Sequence, residues 1–434
     1  MTETAAQTPP GSFAGTTRNP DAGPPIWEMT RLSSYADVTE VLKSHDFVPT
    51  HGYRDNAAFL GGSLLALAGD DHFSRRRIEA SLFRPQAMAR LEAEVFGPAL
   101  DEDLASWPRD ADGRARGDLM ELMRRVLSRL SIAVVGLDGI ETEDARARHM
   151  LYTAKIGAGV NLEFAVRDHR EVARECLAYV EKFRDEFFLP SWRRRQALVE
   201  RFQAGELARD AVPVDLLSLI LLHREHFAAF GDDAALREAM LFNGASGGVT
   251  IAACNTLTHL LAWVEQDPAA RRPLLDDPGF LRRAAFEAMR MRPATPFQIR
   301  KTVKTATLSS GRTVAEGEFI ALAMAEASRD RSVFGEDADT YDPMRKPVGR
   351  VKPAGLAFGE GPHTCIAMSL SVGDANSDDE ERHGLLIALL SQLLKRGVRV
   401  ETGDGIKRQD GTIRAEYDAF TVTLAAPSAT AGAP

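Results

Sequence analysis

The stretch Phe358-Gly359-Glu360-Gly361-Pro362-His363-Thr364-Cys365 decides how this chain is read. Gly359 and Gly361 allow backbone angles closed to other residues and let a ligand come close to the main chain. Pro362 stiffens the exit from the turn. Cys365 is followed by Ile366-Ala367-Met368-Ser369-Leu370-Ser371, which reads as a helix start. A helix start turns free N–H groups and a positive dipole end toward the residue before it. Those surroundings favour thiolate over thiol. The loop therefore offers one sulfur to something large and flat; the bland alternative is a glycine turn holding an inert buried thiol.

Around this loop lies an ordinary globular composition. The chain has 434 residues, 44% hydrophobic and 26% charged, enough for a substantial core. No Pro/Gly/Ser-rich linker divides the interior, so one large, mostly helical unit is expected. A formal net charge of −9 excludes a broad nucleic-acid footprint. Cys176, Cys254 and Cys365 form neither a disulfide framework nor a CxxC metal pair, which fits a reducing cytoplasm. Residues 1–25 lack an apolar run, so they are neither a signal peptide nor a membrane anchor. That segment and the tail 426–434 are expected to be disordered, leaving 26–425 as a single domain.

Upstream the pattern is helix after helix. A first helix is predicted from Ser34 to His45, with Val38, Val41 and Leu42 as its apolar face. Asp70-Asp71 caps a basic helix in which His72 and Arg76, four apart, share a face. Leu119, Leu122, Val126, Leu127 and Leu130 form one stripe. A long segment from Leu151 to Phe188 is broken by Pro190, and Trp192 begins the next helix. Residues 234–266 form the longest helical run, about 50 Å at about 1.5 Å per residue. Its middle, Phe242-Asn243-Gly244-Ala245-Ser246-Gly247-Gly248-Val249-Thr250-Ile251-Ala252, carries three glycines. Each costs about 1 kcal/mol relative to alanine in a helix, so something is expected to pack against the bare backbone. Glu287 and Arg290 share a helix face, and strand signals run from Phe297 to Leu308 and Thr313 to Ala321 around a Ser309-Ser310-Gly311 turn.

The cysteine loop resembles the haem-binding loop of the cytochrome P450 superfamily, Phe-Gly-x-Gly-x-His-x-Cys-x-Gly. Phe358, Gly359, Gly361, His363 and Cys365 match, and Ala367 stands where the family usually has Gly. Three further motifs follow the family's order, and the resemblance covers about residues 30 to 425. It implies the cytochrome P450 fold, mainly α with small β-sheets, with haem b between the long central helix and the helix after the cysteine. It implies Cys365 as axial iron ligand, with His72, Arg76, Arg300 and His363 on the propionates. It implies a structural triad of Glu287, Arg290 and Arg345.

Two features depart from the family. Most oxygen-activating members carry an acid–alcohol pair that relays protons from the middle of the long helix. Counting back from Asp267-Pro268 puts Ile251 and Ala252 there, and neither carries a proton; Thr250 lies one residue upstream. The string around Asn243 is similar to the branch that rearranges fatty-acid hydroperoxides, although that branch usually has a longer cysteine loop. The helix after the cysteine is also interrupted from Gly373 to Gly384 by Asp374, Asp378, Asp379, Glu380 and Glu381. An acidic loop beside the cysteine would repel an acidic redox partner over about 8 Å.

The resemblance implies a haem-thiolate monooxygenase oxidising a small apolar molecule, a cytoplasmic monomer without a membrane anchor. Electrons would come from ferredoxin and ferredoxin reductase, drawing on NADPH or NADH. The alternatives are peroxide-dependent or non-oxygenating chemistry and, more remotely, a haem-binding sensor. Thr250 and Asn243 are the catalytic candidates. By family position the pocket candidates are Leu64, Leu65, Asn243, Ser246, Gly247, Ile251, Pro296, Phe297 and Phe420.

Overall fold

The computed structural model describes residues 23–52, 54–227, 233–373 and 383–427. Most of the expected tails and the acidic residues of the insertion lie outside that set. The Pro24 carbonyl accepts from Arg54 Nη1 at 3.2 Å, so the described chain is attached before residue 26.

Helix α1 (Tyr35–Lys43) begins where Ser34 Oγ accepts from the Asp37 amide, and it buries Val38, Val41 and Leu42. Helix α2 (Gly69–Glu79) starts earlier than expected: its N-cap is Ala68, which supplies no side-chain bond. Asp70 and Asp71 therefore lie in the first turn, where they complement the helix dipole instead of capping it.

The main core gathers α3 (Leu119–Val135), the segment Gly247–Gln266, α9 (Pro278–Met291) and α11 (Leu385–Lys395) around one cluster. The leucine stripe of α3 meets Cys254, Leu257 and Leu260 there. Helices α4 (Glu143–Val160) and α5 (His169–Phe183) lie over a second cluster of Phe183, Phe187, Phe188 and Met240. Pro190 does not break the helix that follows α5. A wide turn over Arg184–Phe188 runs straight into α6 (Leu189–Gln203), with Pro190 in its first turn. Proline lacks an N–H and crowds the preceding turn; a wide turn just before it relieves both demands.

The expected run 234–266 is two helices, α7 (Asp233–Gly244) and α8 (Gly247–Gln266). The Ala245 amide still bonds to Leu241 O at 2.9 Å. After it, the Gly248 and Val249 amides bond three residues back, to Ala245 O and Ser246 O. The switch tightens the backbone where the side chains are smallest. Although the span Asp233–Gln266 is long and apolar enough to cross a membrane, half of its most apolar window is buried inside the molecule.

One sheet has the order β1-β7-β4-β2, built from β1 (Thr30–Leu32), β2 (Phe47–Pro49), β4 (Phe297–Thr302) and β7 (Phe319–Ala323). Only β1–β7 is parallel in it. A second sheet pairs β10 (Tyr417–Leu424) with β3 (Ala115–Asp118), β8 (Arg399–Val400) and β9 (Ile406–Arg408). A two-stranded piece joins β5 (Ala306–Thr307) to β6 (Thr313–Val314), and Gly311 turns between them at φ 86°. Helix α10 (Met368–Val372) stops at Gly373.

Candidate active site around Cys365

The cysteine loop closes on itself: the Cys365 amide donates to Phe358 O at 2.8 Å. Gly361 has φ +70°, and a Cβ there would stand 2.3 Å from Leu42 O. Glycine is required because the loop lies directly on the end of α1. Glu360 pairs with Lys352 at 3.0 Å and reaches Lys43 at 3.8 Å.

Cys365 keeps accessible surface, yet desolvation by surrounding atoms pushes its thiol up, while the Ala367 amide and Arg76 pull it down. The two facts agree if the surface it shows lines an internal recess. The N–H of Ala367 and the Arg76 charge are the local features that favour thiolate.

The basic residues converge here. His72 lies against His363, with ring centroids 3.9 Å apart. Arg76 Nη2 donates to Thr364 O, which ties α2 to the loop. Arg300 is buried on β4, donating to Ile299 O and to Gln298 Oε1, and desolvation pulls its pKa down to about 10. His363 is pushed down to about 2, first by burial and then by Arg300, His72, His51 and Arg76. Two carboxylates among the described residues face part of this set: Glu163, 3.6 Å from His51 and near Arg300, and buried Glu79, near Arg76. The pattern did not reveal Glu163 and His51, because no spacing links residues of two distant loops.

The three consecutive arginines of α2 have different fates. Arg77 is exposed and Arg76 half-buried. Arg75 is buried, bonds Gly62 O at 2.6 Å and pairs with Glu79 and Glu238, while Glu238 accepts from the Leu64 amide at 3.0 Å. This buried pair fastens α2 to α7 and was not singled out from sequence.

Behind the loop, Glu287 accepts from Arg290 Nε and Nη2, both at 2.8 Å, and from Arg345 Nε at 3.0 Å. Arg290 also donates to Ser328 O and Ala338 O, and Arg345 to Phe334 O and to Asp337.

The pocket candidates divide. Gly247 is exposed, and a Cβ there would meet nothing within 4 Å. Ser246 Oγ donates to Asn243 O at 3.1 Å. Leu65, Pro296 and Phe297 are half-buried; Leu64, Thr250, Ile251 and Ala252 are buried. Asn243 turns away from its expected role: its amide donates to Ala239 O, and its carbonyl faces buried His149 on α4. Phe420 has no accessible surface and stacks edge-on against Tyr417 in the main core. Its alternation along β10 points it inward, so it supports the site from behind and does not line it.

This arrangement has relatives. The cytochrome P450 family profile matches residues 278–372. The chain is similar to a C-19 steroid 1alpha-hydroxylase of Sorangium cellulosum, 27% identical over 74% of this chain and 75% of that one. It is also similar to the erythromycin C-12 hydroxylase of Saccharopolyspora erythraea, 23% identical over 80% of each. Among solved structures, the substrate-free cytochrome CYP109E1 of Bacillus megaterium aligns over 92% of this chain and 94% of its own, with TM-score 0.67 at 18% identity. The fold is that of a cytochrome P450. The profile match and the named relatives support the cytochrome P450 superfamily of oxidoreductases.

The family implies a haem with a cysteine thiolate ligand, and the residues fit one. Both ring nitrogens of His72 are buried without a hydrogen-bond partner. Arg76 and Arg300 carry the positive charge of this place, while burial keeps His72 and His363 neutral, so the histidines offer ring N–H donors and no charge. Two propionates would accept from these arginines and from the unpartnered His72 ring, and Cys365 is the one exposed cysteine.

Proposed function

We propose that this chain is a haem-thiolate monooxygenase acting on a small apolar molecule of the steroid or secondary-metabolite kind. The observation that carries it is the folded loop from Phe358 to Cys365, with Cys365 exposed as a residue and met by the Ala367 amide and Arg76. The names of the two hydroxylase relatives agree with it. Haem b held by Cys365 supplies dioxygen activation and oxygen insertion.

The chain's residues do the rest. Ala367 and Arg76 hold negative charge on the Cys365 sulfur. His72, Arg76, Arg300 and His363 hold the propionates through charge-assisted bonds. Phe358, Gly359 and Gly361 keep the loop close to α1. Gly247 and Ser246 leave room at the break between α7 and α8, and the half-buried Leu65, Pro296 and Phe297 exclude water from an apolar guest. Electrons come from a ferredoxin and its reductase, and the enzyme works as a cytoplasmic monomer. Thr250 is the nearest hydroxyl to the relay position.

A second reading rests on Ile251 and Ala252, which stand at the relay position by the count back from Asp267-Pro268 and carry no proton. Without a side chain to deliver protons, peroxide-driven turnover or hydroperoxide rearrangement competes with reductase-driven oxygenation. One experiment tests the site and separates the readings. The ferrous carbonyl complex should show the family's red-shifted Soret band, and Cys365→Ser should lose it; a variant that keeps it removes Cys365 as ligand. Product formation with a reductase system, compared with hydrogen peroxide, then assigns the chemistry.

A further inference from the structure

Arg414 is nine-tenths buried and lies where three segments meet. Its Nε donates to Ala294 O at 3.0 Å, and its Nη1 donates to Asn161 Oδ1 at 2.6 Å and pairs with Glu416 at 2.9 Å. Its guanidinium lies over the Phe164 ring at 5.6 Å. Its Nη2 has no hydrogen-bond partner among the described residues, yet it is not among the fully enclosed orphan atoms, so it keeps accessible surface.

What Arg414 grips defines where it looks. Asn161 adjoins Val160, which stands 4.0 Å from the position a Cβ would take on Gly244. Ala294 stands 3.9 Å from the same position on Gly248. Arg414 thus bridges the two segments that face the break between α7 and α8 at both of its ends. Between those ends lies Gly247, with open space before it. The backbone holds Arg414 in place on the far side: Val166 N donates to Gly411 O at 3.0 Å and Ile413 N to Phe164 O at 2.9 Å.

We infer that Arg414 is a specificity-determining residue whose free Nη2 binds a carboxylate on the substrate. The inference rests on the haem-thiolate reading of the site and names the substrate class: an apolar acid, aliphatic or polycyclic. Glu416 and Glu163 are the acids facing the guanidinium, and burial still outweighs both in pulling its pKa down. Glu163 divides its charge among His51, Arg54, Arg300 and Arg414. An incoming carboxylate finds a cation that its surroundings under-compensate. Planar, pre-positioned guanidinium suits that contact better than a lysine would.

The test is calorimetric titration of the purified haem-loaded chain with dodecanoic acid and with abietic acid, each against its methyl ester. A charge-assisted bond should make the preferred acid bind about tenfold more tightly than its ester or better. The acid that shows the preference identifies the scaffold. Arg414→Gln should abolish the preference and leave ester binding within about threefold, and Arg414→Lys should keep part of it. Equal binding of acids and esters to the unaltered chain overturns the inference and needs no variant. So does an Arg414→Gln chain that loses acid and ester alike, which would make Arg414 a strut. A carbonyl spectrum of the same sample separates these outcomes from failure of the haem-thiolate reading: a normal red-shifted band with no acid preference sinks only the role of Arg414.

Discussion

Gly384 rests on Gly373: a Cβ added to Gly384 would stand 2.2 Å from the Gly373 nitrogen and 2.6 Å from the Val372 carbonyl carbon. Both glycines have positive φ, +72° at Gly373 and +82° at Gly384. The chain therefore leaves after α10 and returns to α11 at one point, so the insertion adds residues without separating the two helices. Any side chain at Gly384 meets backbone that cannot swing away, in a conformation that L-residues avoid. Gly384→Ala should cost more than about 1 kcal/mol and lower the melting temperature. Replacing residues 374–382 with a short Gly/Ser linker should leave the melting temperature unchanged. If the linker variant is the less stable of the two, the insertion contributes packing of its own.

Glu287 compensates two arginines, one of them, Arg290, with no exposed surface. Truncating it to Ala leaves buried charge unpaired, at about 3–5 kcal/mol. Most Glu287→Ala protein should be insoluble or haem-free on expression. A soluble, fully loaded and active variant would show that Ser328, Ala338 and Asp337 suffice for the two arginines.

Arg76 and Arg300 are proposed to hold the propionates, each through bonds worth about 1.5–3 kcal/mol. Their Ala variants should lose haem on gel filtration more readily than the unaltered chain, and the double variant more than either. Undiminished haem-to-protein ratios in all three would transfer the role to His72 and His363.

His149 is fully buried, its Nδ1 2.9 Å from Ser128 Oγ, and burial pulls its pKa down from 6.5 to about 4. A depressed histidine pKa means that the unfolded chain binds the proton more tightly. Stability is then complete above about pH 6.5 and falls as pH drops toward 4, by about 3 kcal/mol for this one group. Urea unfolding across that window should show the loss, and His149→Gln should flatten it. His72, His259 and His363 are depressed as well, so the readout is the difference between the two profiles.

Positioned proton donors contribute about 10²–10⁴ in rate, and Ile251 and Ala252 offer none. With a poorly fitting substrate and reductase-supplied electrons, most electrons should end as hydrogen peroxide. Ile251→Asp with Ala252→Thr should raise the product formed per NADPH consumed. Tight coupling in the unaltered enzyme, across substrates with no polar group, would point to Thr250 as the relay.

The sequence by itself carried the resemblance to the family, the helical class and the cysteine loop, because those rest on local order. Glycines at 359 and 361 and the leucine stripe of α3 carry their meaning within a few residues. The spacing of Glu287 and Arg290 is likewise local, although Arg345 reached them only through the resemblance. Tertiary structure alone decided the rest. Pro190 reads as a break until a wide turn absorbs it. The run 234–266 reads as one helix until its hydrogen bonds change register at Ala245 and Ser246. Phe420 reads as a pocket wall until its face of β10 turns out to be the core. Arg75 with Glu238, Glu163 with His51, and Arg414 with Asn161 and Ala294 are pairings between residues far apart in the chain. No periodicity encodes them, because each depends on which surfaces the packed helices bring face to face.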